Sequence, residues 1–220
     1  MSGIAPPWLL LSLKCVVYFV LVLMIIYTLR HVLFTMNRLF GRQRHPHLDI
    51  DTADWPFVTV VVPAHNESAV IAHALDALAD VDYPSDRYEV VAVDDRSSDD
   101  TWQVMSAAGE RHPEVLRLLR RTDGMPGKAA VLKEVSEALD SDLLIVFDAD
   151  YVPGRGLIKQ IAAPFFDAEV GAVMGRVVPH NTGSNLLTRL LDLERAGGYQ
   201  VDQQARMNLD LLPQYGGSVG

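Results

Sequence analysis

A chain of 220 residues that is 49% apolar and 21% charged can build one buried core, and its composition is too ordinary for a disordered polymer. Its formal charge of −9 argues against a nucleic-acid partner, because phosphate contacts need a basic surface. The single cysteine, Cys15, excludes an intramolecular disulfide and leaves a thiolate zinc site short of ligands.

Charge is distributed unevenly along the chain. Residues 1–48 hold no Asp or Glu but five basic residues, Lys14, Arg30, Arg38, Arg42 and Arg44, so all 28 acidic groups lie further on. Trp8 to Leu29 is an apolar run whose only charge is Lys14. As a helix at about 1.5 Å per residue it covers roughly one hydrocarbon thickness. Lys14 can snorkel to the interface, and Trp8 suits the same layer. No basic n-region or small-residue cleavage site marks a signal peptide. The expected organisation is a short tail at 1–7, a transmembrane helix with its juxtamembrane end at 8–36, a linker at 37–56 and an α/β domain over 57–220. The arginines after the span place the N-terminus outside and the domain in the cytoplasm, on a plasma or inner membrane.

Beyond the linker, strands and helices alternate. Phe57–Val62, Tyr88–Val93, Val115–Leu119, Leu143–Phe147 and Val170–Met174 read as strands from their β-branched and apolar runs. Ser68–Ala79, Thr101–Arg111, Lys128–Leu139 and Gly156–Phe166 carry apolar residues at helical spacing, and a further helix is expected around Leu186–Arg206. This alternation predicts a mostly parallel sheet with helices on both faces, whose ligands bind at the carboxyl ends of the strands.

Four loops at those ends carry the chemistry. After the first strand come Pro63-Ala64-His65-Asn66-Glu67, where Asn66 can cap the next helix and its free N–H groups can receive a polar or anionic ligand. After the second come Asp94-Asp95-Arg96-Ser97-Ser98-Asp99. Asp94 and Asp95 project to opposite faces if extended, so one is expected to meet ligand while the other fixes the loop; Ser97, Ser98 and Asp99 can cap the following helix. The third loop, Asp123 to Lys128, has two glycines for close backbone approach and a lysine that can hold phosphate, but lacks the Walker spacing. No Gly-x-Gly-x-x-Gly follows the first strand, which lowers a dehydrogenase reading. The fourth strand ends in Asp148-Ala149-Asp150. Carboxylates at i and i+2 of extended chain share a side, where they can hold a hard divalent cation.

Together these residues resemble the family 2 glycosyltransferases, the inverting enzymes of GT-A fold that include processive polysaccharide synthases. The motifs are Pro-Ala-His-Asn-Glu (63–67), Val-Asp-Asp-Arg-Ser (93–97), Gly-Lys (127–128) and Phe-Asp-Ala-Asp (147–150), in that order. The resemblance implies a Rossmann-like GT-A domain behind one transmembrane helix, and transfer of a sugar from a nucleotide diphosphate, UDP-sugar first among candidates, to a glycan or lipid acceptor. It implies that Pro63, Ala64, Asn66 and Glu67 shape the nucleotide pocket. Asp94 and Asp95 would face uracil, and Lys128 the nucleotide. Asp148 would meet the ribose or donor sugar, and Asp150, with Asp148, Mg²⁺ or Mn²⁺ on the diphosphate. Gly216-Gly217-Ser218 resembles the acceptor loop.

The family's general base lies in a Glu-Asp motif beyond that loop, which this sequence does not contain, so the chain by itself is expected to transfer sugar poorly. Further membrane subunits are compatible with the reading. The alternative is a nucleotide-sugar-binding subunit or sensor without catalysis. Asp192, Glu194, Asp202 and Asp210 match no base position and are expected at the surface.

Overall fold

The computed structural model describes residues 6–41 and 54–212. Most of the expected 37–56 linker, the first five residues of the tail and the acceptor loop Gly216-Gly217-Ser218 lie outside the described residues. Two compact units emerge, one joining the N-terminal helix with residues 178–212 and the other comprising residues 54–177.

The second unit is built on four parallel strands, β1 (Val58–Ala64), β2 (Tyr88–Asp95), β3 (Leu116–Arg121) and β4 (Leu143–Val146), in the order β3-β2-β1-β4. Its helices are α2 (Ile71–Ala79), α3 (Thr101–Arg111), α4 (Lys128–Ala138) and α5 (Leu157–Ala162), the last prolonged by a 3₁₀ turn to Phe166. Both faces of the sheet are covered, so β1 can be apolar without alternation. Val58, Val60, Val62 and Ala64 join Ile71, Leu75, Leu78, Met105 and Ile158 in one core. Val61, Val91 and Val93 face Val131 and Val135 of α4 in the other.

Strand order reverses beside β1, with β2 on one side and β4 on the other, which makes the carboxyl ends of β1 and β4 the switch point of the sheet. The β1–β4 ladder covers Val58 to Val61, with Phe147 N–H then donating to Val61 O at 2.9 Å. Pro63, two residues on, has no N–H to extend pairing. The expected strand at Val170–Met174 does not form. Residues 170–179 have no strand pairing, and Val173 and Val177 instead pack against the core as side chains.

The first unit begins with α1 (Pro7–Phe40), a single helix of 34 residues that outruns the expected 8–36 because nothing breaks it before Gly41. It is long and apolar enough to cross a membrane, and its most apolar window has no buried residue. Ser12, Thr28 and Thr35 return their hydroxyl protons to the carbonyls of Trp8, Met24 and His31 four residues back, so these three hydroxyls need no water. The unit continues with α6 (Leu186–Gly197), a π-helical turn (Gly198–Gln203) and α7 (Gln204–Asn208). Asn185 and Thr188 form a capping box at the start of α6.

Asp202, expected at the surface, is largely buried. It pairs with Arg30 of α1 at 3.2 Å and Arg206 at 3.1 Å. The Arg30 guanidinium also lies over the rings of Tyr27 and Phe34, and Asn208 donates to Asn37 Oδ1 at 2.9 Å.

Candidate active site at the carboxyl ends of the strands

The first two loops are laced together by their own side chains. Asn66 and Arg96 both adopt left-handed backbone (φ 58° and 60°), turning each loop back toward the other. Asn66 N–H donates to Ser97 Oγ at 2.9 Å, and Ser98 N–H donates to Asn66 Oδ1 at 2.8 Å. Glu67 N–H donates to Thr101 Oγ1 at 2.8 Å and Ser68 N–H to Asp99 Oδ2 at 3.3 Å. These contacts correct two expectations. Asn66 does not cap α2, which begins at Ile71 behind Val70 with no side-chain cap, whereas at the start of α3 the expected Asp99 does accept the Thr101 N–H at 3.0 Å, although Asp100 at the N-cap position makes no such bond. Ahead of α2 the N–H groups of Asn66, Glu67 and Ser68 are not open to a ligand, because loop two consumes them. Hydrogen bonds from Thr101 and Ser68 hold the Asp99 carboxyl far below its ordinary range.

Asp94 and Asp95 do project to opposite faces, and β3 meets each with an arginine. The register sets Asp94 against Arg120 and Asp95 against Arg121. Asp94 is fully buried; its Oδ1 accepts Ser97 N–H at 3.1 Å, while Oδ2 lies 3.3 Å from Arg120 Nε without an aligned hydrogen bond. Asp95 is buried too, with Arg121 Nη1 at 2.7 Å, Arg96 Nε at 3.1 Å and Gly127 N–H at 2.8 Å. Burial alone would raise its carboxyl, but the Gly127 N–H, then Arg96 and Arg121, bring it below the ordinary value. His65 Nδ1 lies 2.7 Å from Asp95 O, a carbonyl that only accepts, which selects the Nδ1–H tautomer.

Asp95 and its arginines also shape loop three. Arg96 donates to Gly124 O at 3.0 Å and Arg121 to Met125 O at 3.2 Å. Gly127, at φ 104° and ψ 160°, holds a conformation that only glycine adopts without strain. α4 then opens at Lys128, whose Nζ forms an ion pair with Asp148 Oδ1.

β4 ends at Val146 and Asp148-Ala149-Asp150 turns rather than extends, so the i, i+2 argument for a shared side does not apply. Of the two charges, that of Asp148 is met by Lys128. Asp150 is exposed. Partial burial, then the charges of Asp150, Asp99 and Asp148, push the Glu67 carboxyl above its ordinary value, with His65 opposing. Carboxylates from the first and fourth loops therefore share one electrostatic field across the switch point. Among the described residues, no group of three His, Cys, Asp or Glu side chains could hold a metal ion by itself.

Of the expected site residues, the structure brings Glu67, Lys128, Asp148 and Asp150 together. It places Pro63 and Ala64 on β1 and Asn66 in the loop lacing, and buries Asp94 and Asp95 among arginines. The residues that pattern reading missed are His65, Arg96, Arg120 and Arg121. The signal for the last two was present: a strand ending Arg120-Arg121 next to one ending Asp94-Asp95.

A four-stranded parallel sheet with chemistry at its switch point defines an α/β protein of GT-A-like fold. A mannosyltransferase from Pyrobaculum calidifontis, solved in complex with GDP-Man and Mn²⁺, matches with a TM-score of 0.59 and 31% identity over 70% of this chain and 43% of that one. The profile described as Glycosyl transferase family 2 matches residues 59–218, and the chain belongs to that family. It is 34% identical over 157 residues to a beta-monoglucosyldiacylglycerol synthase of Synechocystis sp., covering 71% of this chain and 33% of that protein. A putative cellulose synthase 2 of Komagataeibacter xylinus is 35% identical over 131 residues, 58% of this chain and 8% of that one. The chain thus spans about a third of the length of curated relatives such as the Synechocystis synthase.

Proposed function

We propose that this chain binds a nucleotide-diphosphate sugar and serves a membrane-anchored glycosyltransferase that passes the sugar to a glycan or lipid acceptor with inversion. The observation that carries the reading is the Lys128–Asp148 ion pair at the carboxyl ends of the strands, with Glu67 in the electrostatic field of Asp148 and Asp150. UDP is the nucleotide implied by the motifs; GDP, bound with mannose by the Pyrobaculum relative, is its competitor.

Each residue has a task in this reading. Asp94 Oδ2, buried against Arg120 without an aligned donor, would accept from a base imide once the half-exposed Arg120 side chain swings off it. Asn66 and the lacing around it fix the wall of the nucleotide pocket, with Pro63 and Ala64 beneath it. Lys128, at the positive N-terminal end of α4, exchanges Asp148 for a donor phosphate. Asp148, released, accepts from a sugar or ribose hydroxyl.

Asp150, with Asp148, would hold Mg²⁺ or Mn²⁺. The donors are hard oxygens, the field felt by Glu67 is too negative, and Mg²⁺ commonly takes only one or two carboxylates beside substrate phosphates. Such an ion supplies Lewis-acid stabilisation of the diphosphate when bound. Transfer itself joins an acceptor hydroxyl oxygen to the anomeric carbon as the bond to the diphosphate breaks, while a general base takes the hydroxyl proton. Gly216-Gly217-Ser218 would line the acceptor. α1 is the anchor, its N-terminus outside because the arginines follow the span.

Calorimetric titration with UDP and GDP, with and without Mn²⁺, tests the site. We expect metal-dependent UDP binding that falls about tenfold or more in Asp150→Ala, a loss of about 1.4 kcal/mol. Undiminished metal-dependent affinity in that variant would remove Asp150 from the site. Binding without sugar transfer by the whole protein in membranes would favour the sensor reading over the enzyme.

A further inference from the structure

We infer that Arg120 reads the nucleobase together with Asp94, so that the pocket takes bases with a carbonyl beside a ring N–H and refuses those with an amino group there. The inference rests on the reading of the strand ends as a nucleotide-sugar site and deepens it.

The two arginines that close β3 are used differently. Arg121 is buried and consumed by Asp95, Glu134 and the Met125 carbonyl. Arg120 projects to the other face of the sheet with a half-exposed side chain, and its partners among the described residues are Asp94 and the ring of Trp102, in the first turn of α3. Its Nε lies 3.3 Å from the buried Asp94 Oδ2 without alignment, and its Cζ lies 5.3 Å from the centre of the Trp102 ring. The guanidinium thus rests between ring and carboxylate without being locked to either, and most of its five N–H donors remain open to a ligand. When it moves off Oδ2, the Trp102 ring keeps it close by. A buried acceptor and a cation with open donors then stand side by side.

That pair matches one edge of a base. A carboxylate accepts and a guanidinium only donates, so Asp94 takes the ring N–H of uracil or guanine while Arg120 takes the carbonyl oxygen next to it. Cytosine and adenine offer an unprotonated ring nitrogen and an amino group instead, which sets acceptor against acceptor and donor against donor. The sheet order fixes which carbonyl is read. Lys128 and Asp148 meet beyond the end of β4, whereas Arg120 ends β3, the edge strand on the far side of Asp94. With the diphosphate at Lys128, a base reaching Asp94 turns the carbonyl far from its ribose toward Arg120.

Calorimetric titration of the full detergent-solubilised chain with Mn²⁺ and thionated nucleotides tests this, because sulfur accepts hydrogen bonds weakly where the carbonyl oxygen accepts them well. The parent protein is expected to bind 4-thio-UDP, altered at the outer carbonyl, about tenfold more weakly than UDP, and 2-thio-UDP nearly as well as UDP. Should GDP be the tighter ligand, 6-thio-GDP takes the place of 4-thio-UDP. In Arg120→Met, which keeps an apolar stem beside Trp102, affinity for the natural nucleotide should fall about tenfold and the thio penalty should vanish. Equal binding of the natural and outer-thio nucleotides by the parent overturns the inference without any variant, and leaves the nucleotide site standing. A thio penalty that persists in Arg120→Met assigns the contact to another donor, and tighter nucleotide binding by that variant makes Arg120 a mere obstruction of Asp94; either result overturns it. If the parent binds neither UDP nor GDP, the nucleotide-sugar reading and the inference fall together.

Discussion

Strand β1 and helix α1 are both runs of apolar side chains, yet they stand at opposite extremes of exposure. Val58, Val60, Val61 and Val62 are 0% exposed between two layers of helix, whereas Tyr18, Leu21 and Ile25 of α1 are about half exposed or more. Length and branching separate the two. A short β-branched run flanked by Pro63 can be covered by helices of its own unit, while 34 helical residues extend over roughly 51 Å and exceed anything this small unit could cover. One segment is apolar because protein surrounds it, and the other is long and apolar enough to cross a membrane.

Substitutions can break that contrast. Val60→Asp buries an unpaired carboxylate and should cost about 4 kcal/mol, read from urea unfolding of the detergent-solubilised chain. The same change at Leu21 should leave that unfolding transition in place and instead penalise membrane insertion by about 3 kcal/mol, read as lost membrane retention. Equal destabilisation by both would mean that α1 is packed against protein.

A second comparison lies within the site, between the braced carboxylates and the open ones. Asp95→Ala strips a buried partner from Arg121 and releases Gly127, and should cost about 3 kcal/mol by chemical denaturation. Asp150→Ala, at an exposed position, should barely move the same curve. Gly127→Ala forces a side chain onto φ 104° and should cost about 2 kcal/mol. The space around that glycine is open, so the loss is backbone strain and not a clash.

The smallest effect has the opposite sign. Glu67 is raised, so its ionised form burdens the folded state; Glu67→Gln should be mildly stabilising at neutral pH, and that gain should vanish as pH falls through the Glu67 titration. Asp95 is lowered, so its stabilisation is complete above the unfolded carboxylate range and is lost only as pH falls toward its folded value. Thermal melts of Glu67→Gln and Asp95→Ala should therefore lie on opposite sides of the parent protein at neutral pH and converge on it as pH falls.

Local pattern was enough for the alternation of strands and helices, for the apolar span and for the order of the four loops, because each depends on runs of neighbouring residues. It also located Glu67, Lys128, Asp148 and Asp150 at strand ends. What it could not contain was partnership across distance. That Arg120 and Arg121 stand opposite Asp94 and Asp95 depends on the β2–β3 register. Asp202, read as a surface charge, is held by Arg30 from a helix more than 160 residues away in the chain. Residues 170–174 have strand composition but pair with no strand, although the outer edge of β4 has no strand partner among the described residues, and composition cannot decide pairing. Side-chain chemistry thus set what each loop could offer, and only the folded chain decided which carboxylates are consumed in holding loops together and which remain open for a ligand.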